Sequence, residues 1–312
     1  MDFTRSSGSV DDGVRPPQAP PLSPVLDGAP RWRRYVALGD SFTEGLWDVP
    51  DGAPPDRTRD RTDLACRGWA DLLAAHLAER VGRAGGVAKG GDGAGAGDRD
   101  GVLRYANLAV RGRLLAPILR EQLPAALALG PDLVSLVGGG NDTLRPGSDP
   151  DRLAADLERA VVRLRAAGAD VLLATGMDSR DSPLIRANRA RVAVLNAHVW
   201  TIARRHGAHV VDLWGMRSLR DWRMWAPDRI HLNSDGHRRV AQGALVALGL
   251  APDDERWDDP LAPLPPLPRV ERLRADAGWL RAHAVPWATR RLRGHSSGDG
   301  RAPKRPTLAP VD

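Results

Sequence analysis

A serine, an aspartate and a histidine in two short polar segments could together carry out acyl transfer. Residues 39–45 (G-D-S-F-T-E-G) contain Ser41, and they directly follow an apolar run. Residues 228–233 place Asp228 three positions before His231. A serine hydroxyl becomes nucleophilic when a base removes its proton; histidine has a suitable pKa, and a carboxylate fixes its tautomer. These residue types therefore predict nucleophilic catalysis at a carbonyl carbon.

Each of these segments also has a simpler explanation when it is taken alone. Asp40 and Ser41 precede a predicted helix, where both residue types are common N-caps. Asp228 and His231 could belong to an ordinary surface loop, since the chain contains seven other histidines. Two further loops bear on this choice.

These two loops contain groups that could stabilise a developing oxyanion. Residues 138–142 (G-G-G-N-D) follow another apolar run; glycine permits close backbone approach, and the Asn141 amide can donate a hydrogen bond. Residues 107–112 end in Gly112, which could supply a backbone donor. A phosphate-binding loop is the alternative for residues 138–142. That segment lacks the Lys-Ser/Thr ending of a P-loop and the full spacing of a dinucleotide loop.

Short apolar runs alternate along the chain with segments of helical spacing. This alternation is typical of a parallel sheet covered by helices on both faces. The sequence predicts an α/β fold, a three-layer α/β/α flavodoxin-like sandwich with a central five-stranded parallel sheet and a C-terminal helical appendage. The four polar segments then meet at one edge of the sheet. The predicted strands are residues 35–38, 103–106, 133–137, 171–174 and 209–213.

The four segments together resemble the sequence blocks of the SGNH (GDSL-type) hydrolase superfamily of esterases and lipases. The resemblance covers roughly residues 34–250 and implies Ser41 as nucleophile, His231 as base and Asp228 as the carboxylate that orients it. It further implies an oxyanion hole formed by the N–H groups of Ser41 and Gly112 and by the side chain of Asn141. The matching blocks are, in order, residues 39–41, 107–112, 139–142 and 228–231.

The resemblance implies a serine hydrolase that cleaves carboxylic esters through an acyl-enzyme, without metal or cofactor. Acyl esters or lysophospholipid-like molecules are the expected substrates. Carbohydrate O-acetyl esters and thioesters are alternatives at the same site. A flavodoxin-like cofactor-binding protein would share the predicted topology, but it gives no reason for Asp228 and His231.

Three residues are candidates for contact with the substrate. Trp222 and Trp225 precede the Asp228 segment and could form the wall of an acyl pocket. Aromatic side chains that pack a long loop against the core are an equal alternative. Arg111 stands where the family frequently has a small residue, and it could place a cation near the substrate.

Composition sets the limits of this interpretation. The chain has 312 residues, 42% of them hydrophobic and 27% charged, which excludes a wholly disordered protein. A single cysteine excludes a disulfide scaffold. No apolar run approaches the ~20 residues that span a bilayer, and the first residues lack the apolar stretch of a secretory signal. We therefore expect a soluble cytoplasmic protein.

Composition also divides the chain into segments. A catalytic domain over residues 31–250 contains a glycine-rich insertion at 82–101, with nine glycines. The segments around it are a flexible leader at 1–30, a proline-rich linker at 251–268, a basic amphipathic helical segment at 269–293 and a disordered tail at 294–312.

The net charge of +6 resides in the last part of the chain. Residues 269–312 contain ten basic and four acidic side chains, so the preceding residues are neutral on balance. We expect the helical segment to dock on the catalytic domain through Leu273 and Leu280. The alternative is contact with an anionic membrane, up to a non-enzymatic adaptor function. Nucleic acid is not an expected partner, because only one short segment is basic. The oligomeric state is not predicted.

Overall fold

The structure, a computed structural model, describes residues 30–49, 66–88, 101–180, 182, 185–265, 268–286, 289 and 296–311. The predicted leader lies outside these ranges except for Pro30. The strands are Arg34–Gly39 (β1), Arg104–Asn107 (β2), Leu133–Val137 (β3), Asp170–Ala174 (β4), His209–Val211 (β5) and Arg305–Pro310 (β6).

Helices connect the strands. The α-helices are Ser41–Glu44 (α1), Trp69–Ala88 (α2), Leu115–Pro117 (α3), Leu123–Ala128 (α4), Gly140–Thr143 (α5), Pro150–Ala166 (α6), Arg189–His206 (α7), Ser234–Ala247 (α8) and Arg269–Trp279 (α9). Two π-helical turns, Ile118–Gln122 and Leu280–Ala284, continue α3 and α9. Shorter 3₁₀ turns are Arg186–Asn188, Ser218–Arg220 and Trp222–Met224. Within the described ranges, no helix combines the length and apolar character needed to cross a membrane.

The sheet has the strand order β5-β4-β3-β1-β2-β6. The five predicted runs form the first five strands, and all of their pairings are parallel. The α/β prediction is therefore confirmed. The order of the parallel strands reverses at β1, which lies between β2 and β3. Open α/β sheets place their ligand sites at such a reversal, beyond the carboxyl ends of the strands.

Helices cover both faces of this sheet. Successive side chains of a strand point to opposite faces, so Tyr35 and Ala37 of β1 join one core and Val36 and Leu38 join the other. The first core contains apolar residues of α2 and α8, and the second contains those of α4, α6 and α7. The result is the predicted three-layer arrangement.

The end of the chain differs from the prediction of a disordered tail. β6 pairs antiparallel with β2 and makes a six-stranded sheet. Lys304 fixes the start of β6 by donating to the carbonyl oxygens of Glu44 (2.6 Å) and Cys66 (2.8 Å) and by pairing with Asp71 at 2.7 Å. These partners are remote in sequence, which explains why local composition did not reveal the strand.

The segments predicted as insertion and linker are also more ordered than composition suggested. α2 continues through residues 82–88, the first part of the glycine-rich segment, and residues 89–100 lie outside the described ranges. In the linker, Trp257 and Leu261 pack against the first core, and Asp258 accepts a hydrogen bond from the Ser218 N–H (3.0 Å). The linker thus contacts the domain at several points between Ala251 and Ala262.

The C-terminal helical segment docks through a different face from the one predicted. Leu273 and Leu280 are exposed, whereas Trp279 is only 7% exposed. The Trp279 indole N–H donates to the carbonyl oxygen of Asp228 (3.1 Å), and the Arg229 guanidinium lies 5.0 Å from the centre of its ring. Trp279 buries a large apolar area and also finds a hydrogen-bond acceptor, which explains why it, rather than the leucines, faces the domain.

Candidate active site

Ser41 is positioned by the turn that leaves β1. The Asp40 carboxylate accepts the Phe42 N–H (3.0 Å) and caps α1, so that Ser41 is the first residue of the helix. Just before it, Gly39 lies against neighbouring backbone: a Cβ there would approach the Val137 carbonyl oxygen to 2.7 Å. The N-cap alternative and the catalytic interpretation are thus compatible, since Asp40 caps the helix and leaves the Ser41 hydroxyl available.

Ser41, His231 and Asp228 lie in a hydrogen-bonded row. Ser41 Oγ is 2.9 Å from His231 Nε2, and His231 Nδ1 is 2.6 Å from Asp228 Oδ2. Each distance is within hydrogen-bond range. The fold therefore brings together a hydroxyl, an imidazole and a carboxylate that are separated by up to 190 positions in the sequence.

A compact loop holds Asp228 and His231. The other Asp228 oxygen, Oδ1, accepts the backbone N–H groups of Ile230 and His231, each at 3.0 Å. Arg229, the residue directly after Asp228, adopts a left-handed backbone conformation, with φ of 56°. After the loop, the Asn233 side chain caps α8 by accepting the Gly236 N–H (3.0 Å). The short spacing from Asp228 to His231 is therefore stabilised by the backbone as well as by the side-chain contact.

The electrostatics of the pair favour a charged carboxylate beside a basic imidazole. Burial alone would raise the pKa of Asp228, but the charge of His231 and the hydrogen bonds it donates outweigh burial and lower that pKa. Burial alone would lower the pKa of His231, whereas the charge and hydrogen bond of Asp228 raise it above its ordinary value. His231 is thus suited to accept a proton from Ser41.

Two of the predicted oxyanion donors, Gly112 and Asn141, lie in the segments that follow β2 and β3. Asn141 Nδ2 donates to Asp40 Oδ2 (3.0 Å) and to the Arg113 carbonyl oxygen (3.1 Å), which fixes the amide beside the Ser41 turn. Burial raises the pKa of Asp40 to about 6. Asp142 accepts the Leu115 N–H (2.9 Å), and Gly112 has a φ of 72°, which favours glycine. Gly112 as an oxyanion donor stays a prediction.

Comparison with known proteins identifies the chain. Residues 37–239 match the model of the GDSL-like lipase/acylhydrolase family, which is well over half of the sequence. The chain belongs to this family. Its class is thus that of the carboxylic ester hydrolases, as the sequence predicted. No curated protein matches the chain.

Solved structures show the same fold. One is LAE5, an α/β hydrolase enzyme from the metagenome of Lake Arreo, Spain, with 25% identity and a TM-score of 0.52; the match covers 70% of this chain and 95% of that one. Another is Axe2, an acetylxylan esterase from Geobacillus stearothermophilus, with 18% identity and a TM-score of 0.52 over 71% and 97% of the two chains.

In this GDSL-like hydrolase, a cavity of about 200 Å³ opens at Ser41 and His231. Asn141 and both predicted tryptophans, Trp222 and Trp225, also line it. The centres of the two indole rings are 5.7 Å apart, and the ring planes are inclined at 54°. The Trp225 indole N–H donates to the Leu219 carbonyl oxygen (2.8 Å). Trp222 is 40% exposed and stands at the rim. Both tryptophans thus belong to the wall of the cavity that opens at Ser41.

Arg111 does not lie where the sequence suggested. Its side chain is 2% exposed, and its Nε donates to Glu44 Oε1 at 2.9 Å. The Arg111 backbone N–H donates to the other oxygen of the same carboxylate (2.6 Å). Glu44 thereby neutralises the buried guanidinium, and Arg111 is absent from the cavity lining. The prediction of Arg111 as a substrate-binding residue is wrong; it joins the Gly112 loop to α1.

Sequence reasoning missed two tryptophans that contact Asp228. The Trp47 indole N–H donates to Asp228 Oδ2 (2.7 Å), the oxygen that also faces His231 Nδ1. Trp47 has a left-handed backbone with φ of 79°, and Trp279 donates to the Asp228 carbonyl oxygen. Their positions, one just after α1 and one in the appended helix, carried no signal that would link them to the Asp228 segment.

Replacing Trp47 with phenylalanine is expected to lower kcat/KM by about tenfold, because the Asp228 carboxylate loses a donor that holds its Oδ2 in position for His231, and a hydrogen bond to a charged group is worth roughly 1.5–3 kcal/mol. With one donor fewer, the Asp228 charge stabilises the His231 imidazolium more strongly, so the acid limb of the pH profile should move to higher pH. Steady-state kinetics across pH measure both effects.

Trp32 offers a matched control at the opposite end of the sheet. Its indole N–H donates to Asp170 Oδ2 at 2.7 Å, the same type of bond, just before β1 begins. Trp32→Phe should leave the pH profile unchanged. An identical kinetic effect of the two substitutions would mean that Trp47 acts through stability alone.

Proposed function

We propose that this hydrolase cleaves carboxylic esters of acyl chains longer than acetyl, through a covalent acyl intermediate on Ser41. The observation that carries the proposal is the row from Ser41 Oγ through His231 to Asp228 at the mouth of an apolar cavity. A nucleophile, its base and the group that orients the base are thereby in hydrogen-bond contact, the arrangement that acyl transfer needs.

The first half of the reaction forms the acyl-enzyme. His231 Nε2 takes the Ser41 proton as Oγ attacks the ester carbonyl carbon, and a tetrahedral intermediate results. The protonated His231, stabilised by Asp228, then gives that proton to the alcohol oxygen as the ester C–O bond breaks. The alcohol leaves, and the acyl group remains bound to Ser41.

The second half repeats these steps with water. His231 accepts a proton from a water molecule, the resulting hydroxide attacks the acyl carbon, and the carboxylic acid leaves as the proton returns to Ser41. In both halves the oxyanion develops beside the Ser41 N–H and the Asn141 amide, with Gly112 N–H as the third donor. Asn141 Nδ2 has two protons and donates them to Asp40 Oδ2 (3.0 Å) and the Arg113 carbonyl oxygen (3.1 Å), so the amide must exchange one of these acceptors for the oxyanion as its charge develops.

The cavity lining favours an acyl chain over a sugar. The deeper wall consists of core side chains from β3, β4 and α7, among them Leu136, Leu173, Leu195 and Val199. One polar residue of the wall, Asn196, already exchanges two hydrogen bonds with the Gly176 backbone (2.7 and 3.0 Å). Polar side chains also line the cavity, among them Thr175, Ser179 and Asn188, but an alkyl chain that packs against the apolar core side chains would lose only its contact with water.

A series of p-nitrophenyl esters with acyl chains from acetyl upward tests the substrate class. We expect kcat/KM to rise with chain length until the cavity is filled, because each buried methylene contributes ~0.8 kcal/mol. A kcat/KM that is highest for acetate and falls at every added methylene would contradict the proposal.

Two valines on α7 allow a matched test of the same point. Val192 lines the cavity, whereas Val194 on the same helix is 45% exposed. Val192→Phe should reduce kcat/KM for the longer esters by about 10–100-fold, the range typical of a misfit in an apolar pocket, and spare the acetyl ester. Val194→Phe should leave the whole series unchanged. If Val192→Phe lowered kcat/KM by the same factor for every ester, including the acetyl ester, the acyl chain would bind outside this cavity.

A further inference from the structure

Exposed apolar side chains are concentrated in one part of the molecule. The described residues include nine large apolar side chains that are exposed, and five of the nine lie between positions 264 and 285. Proteins rarely leave contiguous apolar patches exposed unless the patch has a partner. The five side chains, called here the apolar stripe, are Leu264, Val270, Leu273, Leu280 and Val285, with exposures between 50% and 65%.

The geometry of α9 presents this stripe to the outside. Val270, Leu273 and Leu280 are separated by three and seven positions, a spacing that places them on one side of a helix. Trp279 lies on a different side of the helix, where it is buried against the domain. Asp276, three positions after Leu273 and four before Leu280, borders the three apolar side chains and pairs with Arg229 at 2.8 Å. The docked side is therefore already occupied, and the apolar stripe needs a different partner.

The helix that carries most of the apolar stripe packs against a loop at the mouth of the substrate cavity. Trp279 hydrogen-bonds the Asp228 backbone, so α9 lies directly on the loop that carries His231. The Arg223 guanidinium donates to the Ala262 carbonyl oxygen (2.7 Å), which brings the loop of the exposed rim residue Trp222 beside the segment of Leu264. A helix is about 10 Å across, so the outer side of α9 is about that far from the Asp228 loop.

Positive charge accompanies the apolar stripe. Arg274 and Arg281 directly follow Leu273 and Leu280, and both are exposed. The sequence beyond them adds Arg290, Arg291 and Arg293 before the next acidic residue. An apolar face bordered by arginines is the composition of helices that lie in the headgroup region of anionic lipid, where the alkyl stems pack and the guanidinium groups reach phosphate.

We propose that the apolar stripe with Arg274 and Arg281 is a docking surface for an anionic lipid surface, and that docking presents the cavity mouth to acyl esters held there. A second copy of the chain fits less well, because a two-fold contact would bring the arginines of one stripe against those of the other. Nucleic acid would pair with the arginines but leave the apolar side chains in water.

Sedimentation with vesicles tests the docking. The full chain is mixed with phosphatidylcholine vesicles, with or without about one third phosphatidylserine, which supplies the negative surface potential. We expect the protein to pellet with the anionic vesicles and to stay in solution with the neutral ones. Salt at about 1 M should weaken binding several-fold, since it shortens the screening length to about 3 Å.

Paired substitutions then locate the contact. Leu273→Asp with Leu280→Asp should weaken vesicle binding by at least about tenfold, since binding follows the buried apolar area and the charge. Val162→Asp with Val194→Asp, which introduces the same charges at two exposed valines on α6 and α7, should bind like the wild type. Hydrolysis of a water-soluble ester at wild-type rate by both variants shows that the fold and the site are intact.

Three results would overturn the proposal. In the first, the wild type stays in the supernatant with anionic vesicles. In the second, the Leu273/Leu280 variant pellets as well as the wild type does. In the third, sedimentation velocity shows that the wild type and the Val162/Val194 variant are dimers, whereas the Leu273/Leu280 variant is a monomer. The last result would assign the apolar stripe to a second copy. Vesicle sedimentation reports lipid contact alone, so its outcome is independent of whether the ester hydrolysis proposed above is correct.

Discussion

Replacing Ser41 with alanine is expected to lower kcat for ester hydrolysis by about 10⁶-fold, the loss typical when a nucleophilic serine is removed. The Ser41 hydroxyl is the group that His231 Nε2 faces at 2.9 Å, and alanine leaves the imidazole without a proton to take. Residual hydrolysis would then come from direct attack of water on the ester, with the oxyanion donors stabilising the tetrahedral intermediate. Burst and steady-state kinetics with a p-nitrophenyl ester measure the change.

Stability and chemical labelling serve as controls for this substitution. Ser41 is the first residue of α1 and its hydroxyl bonds to His231, so alanine should leave the thermal unfolding midpoint within a few degrees of the wild type. An organophosphonate ester should add once to the wild type, on the peptide that contains Ser41, and not to the variant. Phosphonate addition at another residue, with activity retained in Ser41→Ala, would assign the nucleophile elsewhere.

The sequence could predict the sheet and the order of the polar segments because both depend on local patterns. Apolar runs alternating with helical spacing reveal buried parallel strands without knowledge of their neighbours. Residues that follow the strands then share one edge, which is why Ser41 and Asn141 could be placed together. His231 and Asp228 were placed there by their order in the chain and their types.

Contacts between distant segments account for what the sequence did not reveal. Arg111 looked like a free cation because Glu44, 67 positions away, could not be recognised as its partner. β6 contains prolines at positions 306 and 310 and few apolar residues, yet an edge strand tolerates proline, and it is held through Lys304 and Arg305, whose Nε donates to the Tyr105 carbonyl oxygen (3.0 Å).

The orientation of α9 was also beyond what the local sequence pattern could predict. Its periodicity correctly indicated an apolar stripe, but periodicity cannot tell whether a stripe faces the protein or an external partner. The outcome depended on Trp279, which contributes more apolar area than a leucine and finds the Asp228 carbonyl oxygen as an acceptor. The helix therefore docks by a side chain outside the stripe and becomes part of the support of Asp228.

Changing Asp228 to asparagine is expected to lower kcat by about 10⁴-fold at neutral pH, because an amide in this place favours the wrong tautomer of the histidine. Asp228 Oδ2 accepts the proton of His231 Nδ1 at 2.6 Å, which leaves Nε2 free to act as base toward Ser41. The amide group of the substituted side chain could donate to Nδ1 instead and place the imidazole proton on Nε2. Steady-state kinetics at pH 7 measure the loss.

The same substitution should move the acid limb of the pH profile in a defined direction. In the wild type, Asp228 raises the pKa of His231 above its ordinary value of 6.5 despite burial, so kcat/KM should fall off with a midpoint above pH 6.5. Without that carboxylate, burial remains and lowers the His231 pKa, so the residual activity should persist to lower pH. Asp235→Asn, which alters an exposed carboxylate at the start of α8, should change neither the rate nor the profile. If the midpoint in Asp228→Asn stayed where it is in the wild type, the acid limb would belong to a group other than His231, and Asp40, whose pKa is raised to about 6, would be the first to examine.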